Sequence, residues 1–152
     1  MIRPARPADM QALGEIAERC GLFPAPLIDN MIAPAFAGAA DLWRVAEHQG
    51  AAQGFAFARP EPMTDGVWNL LALAVLPAAQ GTGQATALMA SIEAAADARM
   101  IIVETTQLPD HAAARALYAR EGYEEEGRVR DFYSTGEDKV IFRKLLESGG
   151  QA

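Results

Sequence analysis

With one cysteine, two histidines and few basic side chains, this chain of 152 residues lacks the means for several kinds of chemistry. Cys20 alone can form neither an internal disulfide nor a cysteine zinc cluster, and two isolated histidines cannot supply a His-rich site. No metal is therefore expected, and a reducing cytoplasm is the expected compartment. Lys and Arg number 13 against 20 Asp and Glu, a net charge of −7. Binding to nucleic-acid phosphates is driven by clustered cations, so no nucleic-acid partner is expected, and a cationic or neutral small partner suits this surface better. The uncharged run from Gly66 to Ile92 is long enough to be taken for a membrane span. Pro77, Gln80, Gly81, Thr82, Gly83 and Gln84 interrupt it with groups that lipid would leave unpaired, so no membrane partner is expected. The opening residues, Met1 to Pro7, lack the apolar stretch of a secretory signal.

What is present is a globular composition, 51% hydrophobic and 22% charged, at a length that one domain accommodates. A short strand at Ile2–Ala5 precedes a helix from Ala8 to about Arg19, with Asp9 as its N-cap, Leu13, Ile16 and Ala17 at helical spacing, and Gly21 as its stop. Pro24 and Pro26 start a second helix, with Leu27, Ile28, Met31, Ile32 and Phe36 as its buried face. Leu42–Glu47 and Gln53–Ala58 read as a hairpin, ended by Pro60 and Pro62. Val67–Leu76 has almost no polar alternation, the pattern of an interior strand. A helix from Gln84 to about Ala98, carrying Leu88, Met89 and Ile92 inward, leads to a buried strand at Ile101–Thr105, a crossover that predicts a parallel pair. Asp110 caps a helix through Arg120, and Gly122–Val129 with Lys139–Leu145 form an antiparallel pair. The domain is thus read as residues 1–147, followed by a frayed tail at residues 148–152. No repeat, linker or low-complexity segment appears beyond alanine richness.

The loop Pro77–Ala85 carries the most information. A buried strand ending in a glycine loop that opens a helix presents free N–H groups and the positive end of the helix dipole to an anion; the alternative is a tight structural turn. A P-loop would need Gly-Lys-Ser/Thr, which is absent. The dinucleotide pattern Gly-x-Gly-x-x-Gly finds Gly81 and Gly83 but meets Thr86, although Glu104 after Ile101-Ile102-Val103 imitates its acidic partner. The pattern Gln/Arg-x-x-Gly-x-Gly/Ala is met by Gln80, Gly83 and Ala85.

From Ile2 to Leu145 the order of elements and three motifs resemble the GNAT N-acetyltransferase superfamily. The motifs are this loop with the preceding Leu73-Ala74-Val75-Leu76-Pro77; Ala114-Arg115-Ala116-Leu117-Tyr118-Ala119-Arg120-Glu121-Gly122-Tyr123; and Asp131-Phe132-Tyr133 with Gly136-Glu137-Asp138-Lys139, a subgroup pattern that also shows Val103-Glu104-Thr105. The resemblance implies an α/β fold, a single domain whose mixed central sheet has splayed parallel strands and helices on both faces. It also implies acetyl-CoA as co-substrate and acetyl transfer to a primary amine by direct attack in a ternary complex; the alternative is a non-catalytic module that holds acyl-CoA.

By the same resemblance, pantetheine pairs with the strand holding Leu73 and Val75, and the Leu73 amide polarises the thioester carbonyl. The diphosphate rests on Gln80, Gly81, Thr82, Gly83, Gln84 and Ala85. Tyr118 is the implied general acid; a packed helix tyrosine is the alternative. His111 stands where the family commonly has an asparagine against pantetheine, near Ala114, though it reads equally as a surface histidine. Asn69 occupies the place of a glutamate base in related sequences and cannot take a proton, which leaves an ordered water, Glu104 or Asp131 for that role. Glu104 otherwise partners a backbone amide. Asp131, Phe132 and Tyr133 close the acceptor pocket, an acid beside aromatics suiting an ammonium, or else form a hydrophobic plug with a turn acid. Glu124, Glu125 and Glu126 read as a solvated strand edge, and Cys20 as a buried inert thiol. The acceptor, a small-molecule or peptide amine, carries no recognisable code, and the oligomeric state, a homodimer included, stays open.

Overall fold

The computed structural model describes residues 1–146; the tail read at residues 148–152 and the boundary at 147 lie outside the described residues. In chain order the elements are β1 (Ile2–Pro4), α1 (Met10–Arg19), α2 (Ile28–Phe36), β2 (Leu42–His48), β3 (Ala51–Pro60), β4 (Val67–Val75), α3 (Gln84–Ala95), β5 (Met100–Thr106), α4 (Ala112–Arg120), β6 (Glu124–Ser134) and β7 (Glu137–Leu145). The strands form a mixed sheet in the order β1-β2-β3-β4-β5-β7-β6. β4 and β5 run parallel, as their crossover predicts, while β1–β2, β2–β3, β5–β7 and β6–β7 are antiparallel. This is the expected α/β architecture. Internal contacts divide the chain into two compact units, Met1–Pro60 with Leu71–Ala96, and Glu61–Leu70 with the chain from Asp97 onward.

In the first unit, residue alternation along β3 sorts two packing layers. Phe55 and Phe57 oppose Val45 and Trp43 in register, and the Trp43 ring stacks 4.1 Å from Phe57 and 5.8 Å from Phe55. Leu13, Ile16 and Ala17 of α1 and Ile28 and Ile32 of α2 complete this core. On the other face, a Cβ at Gly54 would meet Ala74 O of the neighbouring β4 at 2.7 Å, so the missing side chain is what lets that carbonyl lie so close, while Leu88 Cδ1 of α3 would stand at an ordinary 3.4 Å. Two expectations are corrected here. Leu27 and Phe36 are exposed, because the second helix begins as a 3-10 turn at Ala25–Leu27 whose tighter period throws Leu27 off the stripe. Only Ile28 and Ile32 of α2 are buried. Asp9 holds the N-cap position of α1, as read, but its side chain makes no capping bond to that helix: a turn at Pro7–Asp9 comes first, and the carboxylate turns back to accept from the Arg6 amide at 2.7 Å and from both Arg3 terminal nitrogens at 2.8 and 2.9 Å.

In the second unit, Val67–Leu70 of β4 pair with Met100–Val103 of β5. β7 lies antiparallel on β5, so Val103 faces Phe142 and Glu104 faces Ile141 across the ladder. The two faces differ. One carries Leu70, Val103 and Phe142, against which Tyr118 packs with its ring 5.7 Å from Phe142 and 6.3 Å from Tyr123. The other carries Asn69, Ile102, Glu104 and Ile141. Asp110 does not cap α4, which begins after a 3-10 turn at Pro109–His111 with His111 in the cap position. The last hairpin is longer than its sequence pattern: Asp131, Phe132 and Tyr133 lie on β6 itself and not in a loop, at a register irregularity where Asp131 adopts φ 55°. Glu124, Glu125 and Glu126 are exposed on this edge strand, as read.

Candidate active site

The glycine loop follows β4 after a 3-10 turn at Pro77–Ala79. Gly81 (φ 79°) and Gly83 (φ 86°) take left-handed backbone that permits the loop to double back into α3, and a Cβ on either would meet nothing within 4 Å. Its side chains brace it from beneath. Gln80 Nε2 donates to Val75 O at 3.1 Å, Thr82 Oγ1 donates to Ala79 O, and Gln84 Nε2 donates to Gln53 Oε1 at 2.9 Å. Among the described residues no backbone carbonyl accepts from the amides of Gly81 through Ala85, which include the first N–H groups of α3. The arrangement offers unclaimed donors and the positive end of a helix toward open space, which fits a diphosphate without a lysine. Just upstream, Leu71 is 44% exposed and Leu73 half-buried although Ala72, Ala74 and Val75 are buried. An open apolar spot in the middle of an interior strand is the sort of surface a ligand's arm covers.

Tyr118 is only 7% exposed, and burial pushes its hydroxyl up to about 12. His111, half-buried at the head of α4, has a buried Nδ1 that finds no partner among the described residues, and Ala114 lies half-buried one turn on. Arg115 clamps the approach to α4 by donating to Thr106 O at 2.6 Å and Leu108 O at 2.9 Å. Asn69 is 6% exposed; its Nδ2 donates to Glu61 Oε1 at 3.2 Å, while its Oδ1 is buried without a partner among the described residues. Glu104 forms an ion pair with Lys139 at 3.0 Å, and that ammonium also stands 4.1 Å from the Phe132 ring centroid. Phe132 and Tyr133 meet edge-on at 5.0 Å, and burial, then Glu104 and Glu137, raise the Tyr133 hydroxyl. The Asp131 carboxylate accepts from the Gly136 amide at 2.8 Å. Burial raises the Cys20 thiol, which points at Val75 O at 3.5 Å.

Two contact partners of these candidate residues carry no role in the sequence reading. Glu61 stands between Pro60 and Pro62, which read as strand breakers, and Lys139 reads as part of a motif. An acid enclosed by two prolines a few residues ahead of a buried asparagine was the available signal for the first. Nothing local signalled the second, whose partners Glu104 and Phe132 lie on other strands.

The model of the acetyltransferase (GNAT) domain matches residues 39–125. This chain belongs to the GNAT acetyltransferase family, whose acyl donor is acetyl-CoA. No curated protein matches it by sequence. Among solved structures it resembles a GNAT-family protein from Desulfovibrio desulfuricans, at 26% identity and TM-score 0.86 over 95% of this chain and 98% of that one. It also resembles the ribosomal-protein-alanine N-acetyltransferase of Brucella melitensis, at 24% identity and TM-score 0.78 over 96% and 99% of the two chains. An aminoglycoside 6′-N-acetyltransferase crystallised with coenzyme A shares the fold at 17% identity and TM-score 0.79 over 95% and 96%.

Proposed function

We propose that this protein transfers acetyl from acetyl-CoA to a primary amine by direct attack, both substrates being bound together and no acyl-enzyme being formed. The observation that carries this reading is the run of amides from Gly81 to Ala85 that no backbone carbonyl accepts among the described residues, following a strand with exposed Leu71 and half-buried Leu73. Neighbours named for a ribosomal-protein alanine and for an aminoglycoside act on amines, which supports an amine acceptor, small-molecule or peptide, here. Acetyl-CoA supplies an acyl group already activated as a thioester, whose sulphur needs a proton as it departs.

The chain's own residues do the rest. The amides from Gly81 to Ala85 hold the diphosphate, the Gln80 amide being turned to Pro77 O at 3.3 Å, and the main chain of Leu73 and Val75 receives the pantetheine arm; His111 and Ala114 are further candidates for holding the cofactor. The Leu73 N–H is the single donor to the carbonyl oxygen as negative charge builds there, an effect worth about 3 kcal/mol when preorganised. Tyr118, kept protonated by burial far above neutral pH, gives its proton to the sulphur. Asn69, Glu104, Asp131, Phe132 and Tyr133 belong to the acceptor side.

The test is acceptor-dependent release of free thiol from acetyl-CoA across a panel of amines, amino acids, aminoglycosides and peptide N-termini. Release with at least one amine is expected. Calorimetric binding of coenzyme A with no release on any amine would replace the transferase with an acyl-CoA-holding module.

A further inference from the structure

The Asn69–Glu61 pair is built in a way that structural support does not require. An ionised carboxylate only accepts hydrogen bonds, so the Asn69 amide must turn its NH₂ to Glu61, and this leaves Oδ1 buried with no donor among the described residues. A buried acceptor left empty is costly. Glu61 is fixed in place as well: its amide donates to Val67 O at 2.8 Å, and the Thr64 hydroxyl donates to Glu61 O at 2.9 Å while accepting from the Val67 amide at 3.3 Å. The other acids of this unit weighed for a proton are engaged, Glu104 by Lys139 and Asp131 by the Gly136 amide.

Resting on the transferase reading above, we infer that Asn69 Oδ1 and the Glu61 carboxylate together receive the acceptor's amino group, and that Glu61 is the base that takes its proton. Two acceptors suit the N–H groups of a primary amine. As nitrogen bonds the acetyl carbon and the carbon–sulphur bond breaks, nitrogen's proton passes to Glu61 and the Tyr118 proton to sulphur. Both groups then re-equilibrate with water, so one amine N–H is exchanged for one thiol S–H. Glu61, brought in from the turn before β4, thus restores through Asn69 the carboxylate that residue 69 itself lacks.

The full chain with Glu61→Gln keeps an oxygen facing Asn69 but cannot take a proton. Its kcat on the best amine of the panel is expected to fall about a hundredfold or more, with the KM for acetyl-CoA unchanged. Asn69→Asp puts a second carboxylate beside Glu61, which disfavours ionisation, so the acid limb of its pH–rate profile is expected to move to higher pH. Melting curves establish that each variant is folded; should Glu61→Gln not fold, the limb of Asn69→Asp decides, since it leaves Glu61 and its turn intact. An unchanged rate and profile in Glu61→Gln, or an unmoved limb in Asn69→Asp, would overturn the assignment while the wild type still turned over. A wild type that releases no thiol with any amine would sink the transferase reading itself.

Discussion

Replacing Gly83 by alanine separates what the loop does for the fold from what it does for the cofactor. At φ 86° and ψ 4° an L side chain costs about 1–2 kcal/mol. No clash adds to this, because the new Cβ meets nothing within 4 Å. At this chain length the loss corresponds to a fall in Tm of about 2–8 °C. The same methyl group, however, adds bulk to open space at the loop proposed to hold the diphosphate. A tenfold or greater rise in the Kd for coenzyme A is therefore expected, about 1.4 kcal/mol or more. Gly21→Ala is the control: it also has positive φ (73°) and open space, but ends α1 instead of opening α3. Differential scanning calorimetry and isothermal titration on both variants make the comparison. Equal coenzyme A affinity in Gly83→Ala, Gly21→Ala and the wild type would refute the cradle.

Tyr118→Phe keeps the ring contacts with Phe142 and Tyr123, so the fold and coenzyme A affinity should persist while kcat drops about a hundredfold, read by thiol release. The Arg3 guanidinium holds the Asp9 carboxyl below the usual carboxylate range, and a depressed carboxyl stabilises the fold above its unfolded pKa of about 3.9 and loses that effect as pH falls through the folded value. Urea titrations should therefore find Asp9→Asn less stable than the wild type by about 1.5–3 kcal/mol at pH 7, with the gap closing below about pH 4. Gly54→Val forces a Cβ within 2.7 Å of the Ala74 carbonyl oxygen, so a loss of at least 1–3 kcal/mol is expected in the same assay.

The shape of the glycine loop was legible because Gly81 and Gly83 take positive φ values that these letters permit. The core stripe of α1 and the parallel β4–β5 pair were legible for a related reason, since periodicity and crossover are local patterns. Helix starts were not. Asp9 and Asp110 look like caps, yet a 3-10 turn precedes each helix, and Asp9 is claimed by Arg3, whose approach is set by sheet register.

The acceptor side shows the limit most clearly. Asn69 could be recognised as lacking a proton-accepting group, but Glu61 gains its meaning only when the turn after Pro60 folds it onto that amide. Glu104 gains Lys139 only through the pairing of β5 with β7. Chain order alone dictated the α/β frame, the glycine loop and the helix bearing Tyr118, because these depend on neighbours in sequence. Which partners the acids take, Lys139 for Glu104 and Asn69 for Glu61, was decided in three dimensions, where charge and burial are shared between segments apart in the chain.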